Sequence, residues 1–236
     1  MGEKKTGFFR RAWRVLRKVF IILFIAQLAY IILLKWFYPP ITITQFVSWI
    51  SGNGLQRDYV RSESISSHAR LAVIASEDQI FPDHSGFDWK NMKKAMRYNE
   101  KKPGRIRGAS TISQQVAKNV FLWQGKSFIR KGLEAYFTFM IELIWGKRRI
   151  MEVYLNVIEM GKGIFGIEQA AQFYFNKQAK SLSMQEAALI ATCLPNPKRI
   201  RIKPPSAYAS RRSNWVIQQM KFLARDVDVK KLILAN

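Results

Sequence analysis

The sequence predicts a mainly α-helical domain preceded by one N-terminal transmembrane helix. Three observations predict it: an apolar run over residues 19–34 behind a basic tail, apolar side chains at helical spacing from about residue 67 onward, and the rarity of strand-like alternation. With 236 residues there is room for one anchor and one compact domain, and no room for a second full domain.

The anchor comes first. Residues 19–34 read VFIILFIAQLAYIILL, with Gln27 the one strongly polar side chain, and Lys35, Trp36, Phe37 and Tyr38 follow. Counted to Tyr38, the stretch approaches the roughly 20 residues a spanning helix needs. Lys35 can extend its ammonium to the interface, the aromatic trio suits the head-group region, and Pro39-Pro40 is expected to end the helix. A buried core helix would keep a polar stripe, and a cleaved signal would end on a small-x-small pair; the run has neither.

Charge orients this anchor. Lys4, Lys5, Arg10, Arg11, Arg14, Arg17 and Lys18 precede it, whereas positive charge is sparse afterwards until Arg57 and Arg61. The positive-inside rule then keeps residues 1–18 in the cytoplasm as a basic tail, residues 19–38 in the membrane, and residues 39–236 outside, in the periplasm or on the outer membrane face. The whole chain carries 39 Lys and Arg against 16 Asp and Glu, a net charge of +23, so its partners are anionic. Outside the cytoplasm that favours lipid head groups or a phosphorylated substrate over nucleic acid. The single cysteine, Cys193, allows no internal disulfide and no thiolate metal site, and reads as a small buried residue.

In the outer domain, Leu71, Val73 and Ile74 form an apolar helix that ends at Glu77, and Ile112, Val116 and Val120 recur at i, i+4, i+8 on another. Residues 99–108, NEKKPGRIRG, read as a charged surface loop. Residues 133–145, LEAYFTFMIELIW, are apolar on nearly every side, which predicts the central helix of the core. Ser183 with Glu186 forms a capping-box pattern for a helix that stops before Pro195.

Three clusters have the composition of a site. Residues 77–89, EDQIFPDHSGFDW, put Glu77 at the end of a buried helix, where desolvation would raise its pKa and suit it to proton transfer; the bland reading is a helix end and a solvated acidic turn. In residues 108–119, GASTISQQVAKN, Ser110 or Thr111 can cap a helix on which Ser110, Gln114 and Lys118 share one face, with Gln115 and Asn119 beside it. That face fits a sugar or phosphate, and equally an ordinary solvated helix. In residues 128–137, FIRKGLEAYF, Glu134 needs a partner among apolar neighbours, which Arg130 can provide as a structural ion pair; alternatively Arg130 and Lys131 are phosphate ligands.

Taken in this order and spacing, the clusters resemble glycosyltransferase family 51, the peptidoglycan glycosyltransferases, and within it the monofunctional biosynthetic transglycosylases. Glu77-Asp78 with Phe81, His84, Gly86 and Asp88 is similar to the first motif of that family, residues 108–119 to its second, and Arg130-Lys131 with Glu134 to its third. Lys147, Ile150, Glu152, Tyr154, Leu155 and Asn156 resemble the fourth, and Leu182-Ser183, Glu186, Ala187, Ala188, Leu189, Pro195 and Pro197 the last. Met151 stands where the family often has leucine, and Ala109 where a second glycine is common.

The resemblance implies a lysozyme-like glycosyltransferase domain over residues 39–236, with motifs spanning 77–197. It implies lipid II as substrate: Glu77 is the base that deprotonates the acceptor 4-hydroxyl, and Lys118, Arg130 and Lys131 neutralise the leaving diphosphate. Glu134 orients those cations or assists departure, and Ser110, Thr111, Gln114, Gln115 and Asn119 bind substrate. No cofactor is required; a magnesium or manganese ion could bridge to the diphosphate, but no ligand spacing demands a metal. Partners implied are lipid II, the growing glycan, membrane lipids and other wall-synthesis or division proteins, with no nucleic acid. The membrane is the bacterial inner (cytoplasmic) membrane. Phe121, Leu122, Trp123 and Phe128 suit either the lipid surface or the core, and Lys93, Lys94, Lys101 and Lys102 add attraction to anionic head groups. Two rivals stand beside this reading: a lysozyme-like lytic enzyme, which would not need the diphosphate cations, and a non-catalytic membrane-anchored scaffold.

Overall fold

The computed structural model describes residues 3–102, 108–125 and 127–234. They form two compact units, Met1–Tyr38 and Pro39–Asn236.

The first unit is one long helix, α1 (Glu3–Leu33), so tail and apolar run are continuous. Its segment Phe9–Leu33 has a mean hydropathy of 2.1 and is long and apolar enough to cross a membrane. The helix ends earlier than Pro39-Pro40 suggested. Lys35 N–H donates to Ile32 O and Trp36 N–H to Leu33 O, both at 3.1 Å, so the last turn tightens to an i→i+3 pattern before the prolines act.

The second unit is mainly helical. Its elements run α2 (Ile43–Ile50), β1 (Gln56–Arg57), α3 (Ser67–Glu77), α4 (Trp89–Lys101), α5 (Ile112–Phe121), α6 (Phe128–Ile144) and α7 (Gly146–Val157). Then come β2 (Glu159–Gly161), β3 (Ile164–Phe165), α8 (Ile167–Phe175), α9 (Met184–Cys193), α10 (Ala207–Leu223) and α11 (Val227–Leu234). The small sheet has the order β1-β3-β2, with β1 parallel and β2 antiparallel to β3.

Helix α3 lies at the centre. Ala69, Leu71, Ala72, Val73, Ile74 and Ala75 are all buried, because α9, α10 and α11 pack around them. Ser183 caps α9 with the expected box to Glu186. Cys193 closes that helix fully buried, and burial pushes its thiol up to about 12. Helix α5 packs on α6 and α7, burying Ile112, Val116 and Val120 as the spacing requires.

Two expectations need correction. Residues 99–101 continue α4 instead of opening a loop, and residues 103–107 lie outside the described residues. Helix α6 is not the core's central helix. Its buried stripe is Arg130, Glu134, Thr138 and Ile141, spaced along one face, while Phe139 and Leu143 are 58% and 70% exposed. A helix apolar all round has no sequence mark for the side that meets a neighbour; here the side holding the ion pair does. Helix α2 is inverted likewise, burying Gln45 and Ser48 and exposing Phe46, Trp49 and Ile50.

Candidate active site

Glu77 is the last residue of α3, and its carboxylate is held on two sides. Ser76 Oγ donates to Oε1 at 3.2 Å, and Gln115 Nε2, from α5, donates to Oε2 at 2.9 Å. Burial raises the Glu77 pKa above its ordinary value, while these hydrogen bonds and the Arg212 guanidinium pull it back and Asp78 pushes it up. The side chain opens onto a cleft of about 230 Å³ lined also by Asp88, Asn91, Ser110 and Thr111. A second opening brings it beside Asn91 and Lys94 of α4 and Gly108.

Asp78, the C-cap of α3, fixes α5 relative to Glu77. Its Oδ2 accepts from Ile112 N–H, the first residue of α5, at 3.0 Å, and His84 Nε2 lies 3.0 Å away. His84 Nδ1 accepts from Gly86 N–H at 3.0 Å, so the ring proton sits on Nε2 and is donated to Asp78. Gly86 has φ +90°, and a Cβ there would meet Thr138 Cγ2 at 2.7 Å. Only glycine fits this approach to α6. Beneath it, Lys147 pairs with Glu142 at 2.6 Å and sits 4.5 Å from the Phe81 ring centroid.

The start of α5 uses Thr111 as N-cap. Thr111 Oγ1 donates to Gly86 O at 2.7 Å, and Gln114 Oε1 accepts from Thr111 N–H at 3.0 Å in a capping box. Thr111 and Gln114 are each 2% exposed, so their side chains are spent on the cap. The polar face of α5 is therefore Gln115, Lys118 and Asn119, not the Ser110–Gln114–Lys118 line drawn from spacing. Ser110 stays exposed on the Glu77 cleft.

One turn beyond Gln115, Lys118 enters a cleft of about 290 Å³ lined with Gln115, Asn119, Gln124, Glu159 and Lys198. Burial lowers the Lys118 pKa first, Glu134 counters that, and Arg130 and Lys131 lower it further. Asn119 Oδ1 accepts from Thr44 Oγ1 at 3.2 Å, and its Nδ2 donates to Gln115 O at 2.8 Å. On α6, Arg130 Nη1 lies 2.7 Å from Glu134 Oε2, and Lys131 pairs with the other oxygen. Glu134 is thus buried between two cations, and Arg130 Nε has no acceptor among the described residues.

The fold therefore joins the three sequence clusters. Glu77 of α3 is tied to α5 through Gln115, and Lys118, one turn further along α5, is in electrostatic reach of Arg130, Lys131 and Glu134. Two contributors are given no role from sequence: Tyr154 stands only in the resemblance to the fourth motif, and Arg212 is not singled out. Tyr154 OH donates to Gln115 Oε1 at 3.2 Å, and Arg212 of α10 reaches Ser76 O at 3.5 Å while stacking 3.9 Å from the Trp215 ring. Among the described residues no group of three or more His, Cys, Asp and Glu side chains is placed to hold a metal ion.

The transglycosylase family model matches residues 44–221. The chain is 54% identical over 175 residues to the biosynthetic peptidoglycan transglycosylase of Mannheimia succiniciproducens, covering 74% of this chain and 71% of that protein. It is 52% identical over 179 residues to the protein of that name from Escherichia coli, with 75% and 74% covered. Against the one from Pseudomonas savastanoi it is 48% identical over 202 residues, with 83% and 85% covered.

Proposed function

Because the chain belongs to the transglycosylase family, we propose that it polymerises lipid II into β-1,4-linked peptidoglycan strands, with Glu77 as general base. The observation that carries this reading is the pairing, along one helix, of a desolvated carboxylate at Gln115 and a cationic set at Lys118. A transfer from a diphosphate donor needs both, whereas a lytic enzyme needs no cation set.

In the proposed step, Glu77 takes the proton of the acceptor 4-hydroxyl as that oxygen bonds to the donor's anomeric carbon. The bond from that carbon to the diphosphate breaks, its electron pair leaves with the diphosphate, and the α-linkage inverts to β. Glu77 has the character this asks for: burial raises its proton affinity, and the donors from Ser76 and Gln115 restrain the rise. Lys118, Arg130 and Lys131 neutralise the departing oxyanions, and the unspent Arg130 Nε–H suits an oxyanion ligand. Glu134, gripped by Arg130 and Lys131, acts by orienting them and not as an acid. The scheme needs no cofactor, and a magnesium or manganese ion would enter with the diphosphate itself.

A polyprenyl-linked substrate stays in the bilayer, so the site must come to it. Helix α1 supplies a single-pass anchor, and its basic N-terminal side favours an N-terminus in the cytoplasm and a catalytic domain in the periplasm, at the inner membrane. Phe128, 99% exposed beside Arg130 and Lys131, and Trp123, 45% exposed, fit the lipid surface, as do the basic side chains of α4. Leu122 is core, and Phe121 stacks on Phe137 at 4.6 Å.

The test supplies lipid II and finished glycan in separate reactions. Expected is consumption of lipid II, with one polyprenyl diphosphate released per disaccharide added and the finished glycan intact. Degradation of glycan without polymer from lipid II would overturn the proposal.

A further inference from the structure

We propose that Tyr154 is a positioning residue, whose hydroxyl acts through Gln115 to keep an amide N–H aimed at the Glu77 carboxylate. This rests on the reading of Glu77 as the base. Tyr154, on α7, is fully buried, and a buried hydroxyl must find an acceptor. Its acceptor is Gln115 Oε1, at 3.2 Å. The other end of the same amide donates to Glu77 Oε2 at 2.9 Å.

An amide has one donor end and one acceptor end. Turned over, Gln115 would set its carbonyl oxygen against the carboxylate, two acceptors face to face, and its NH₂ against the phenol. The phenol oxygen could accept from that NH₂, but the buried Tyr154 O–H would then lose Gln115 Oε1 as its acceptor, so the tyrosine opposes the flip. Burial raises its pKa well above 10.0, so the hydroxyl keeps its proton across the working range.

The other groups facing Glu77 cannot set the amide. Arg212 of α10 and Lys94 of α4 act as cations, Asp78 as an opposing charge, and the Cys193 thiol of α9 stays neutral. Ser76 Oγ binds the opposite carboxylate oxygen.

The test is Tyr154→Phe, which keeps the ring and removes the donor. Polymer formation from lipid II by the whole chain is followed across pH, and the Glu77 carboxyl is titrated by ¹³C NMR on the same proteins. Losing the aimed N–H disfavours the ionised form. The acid limb of kcat/KM and the carboxyl titration should therefore both move up by about half to one pH unit. In a Gln115→Leu background, Tyr154→Phe should add no shift, which separates positioning from a general packing effect. An unmoved titration, or an equal shift in both backgrounds, overturns the proposal. A wild type that makes no polymer would instead refute the base assignment, and the NMR titration would still decide the role of Tyr154.

Discussion

Asp78 accepts a hydrogen bond of 3.0 Å from the backbone N–H of Ile112, so the residue that ends α3 also fixes where α5 begins. Glu77 precedes the first and Gln115 lies one turn into the second. The contact between base and amide is thus set by a buried carboxylate.

Asp78→Asn tests that anchoring. An asparagine oxygen is a neutral and weaker acceptor for Ile112 N–H and His84 Nε2–H than the carboxylate oxygen that now faces both. Its NH₂ would stand where Oδ1 faces His84 Nε2 at 3.1 Å, donor against donor. A loss of roughly 1.5–3 kcal/mol is expected for a charged hydrogen bond of this kind. Denaturant titration should show it, with a fall in polymerisation larger than the loss of folded protein explains.

Lys118→Met should separate stability from activity. Burial lowers the Lys118 pKa below its ordinary 10.5, so between the two values the unfolded chain binds more protons and stability rises with pH. The charged lysine is therefore a cost to the fold at neutral pH. Melting curves should show Lys118→Met at least as stable as wild type, while polymer formation is lost and the pH-dependent gain in stability disappears.

Gly86→Ala should destabilise by roughly 1–3 kcal/mol through its positive φ, and further through contact with Thr138 Cγ2. Thr138→Ser removes that methyl and keeps the hydroxyl that donates to Glu134 O at 2.7 Å. In the double variant, part of the loss should return, and the remainder reflects the backbone strain together with the contact to Glu142 Cγ at 3.0 Å.

Glu134→Gln leaves Arg130, 8% exposed, without its charge partner. Breaking a buried pair this way costs roughly 3–5 kcal/mol. Adding Arg130→Met should restore stability without restoring turnover, because the cations serve the diphosphate and Glu134 serves the cations.

What the sequence carried was local. The apolar spacing of α5, the Glu77 helix end and the Ser183–Glu186 cap are each decided within a few residues, and each was legible. Thr111 and Gln114 form the same capping pattern, so the loss of Gln114 from the polar face had a signal that the helical-face count overrode. The outward aromatic side of α6 had none, since composition does not say which apolar face finds a partner. Arg212 lies 135 residues after Glu77 in the chain and meets it through the packing of α10 on α3, a contact no local pattern encodes.

The most direct measurement compares polymer formed from lipid II by wild type and Glu77→Gln, with lipid II binding and melting temperature recorded for both. Glu77→Gln should bind lipid II and melt as wild type does, while its rate falls by about 10² to 10⁴. Polymer formation at the wild-type rate by a folded Glu77→Gln chain would contradict the assignment of the base.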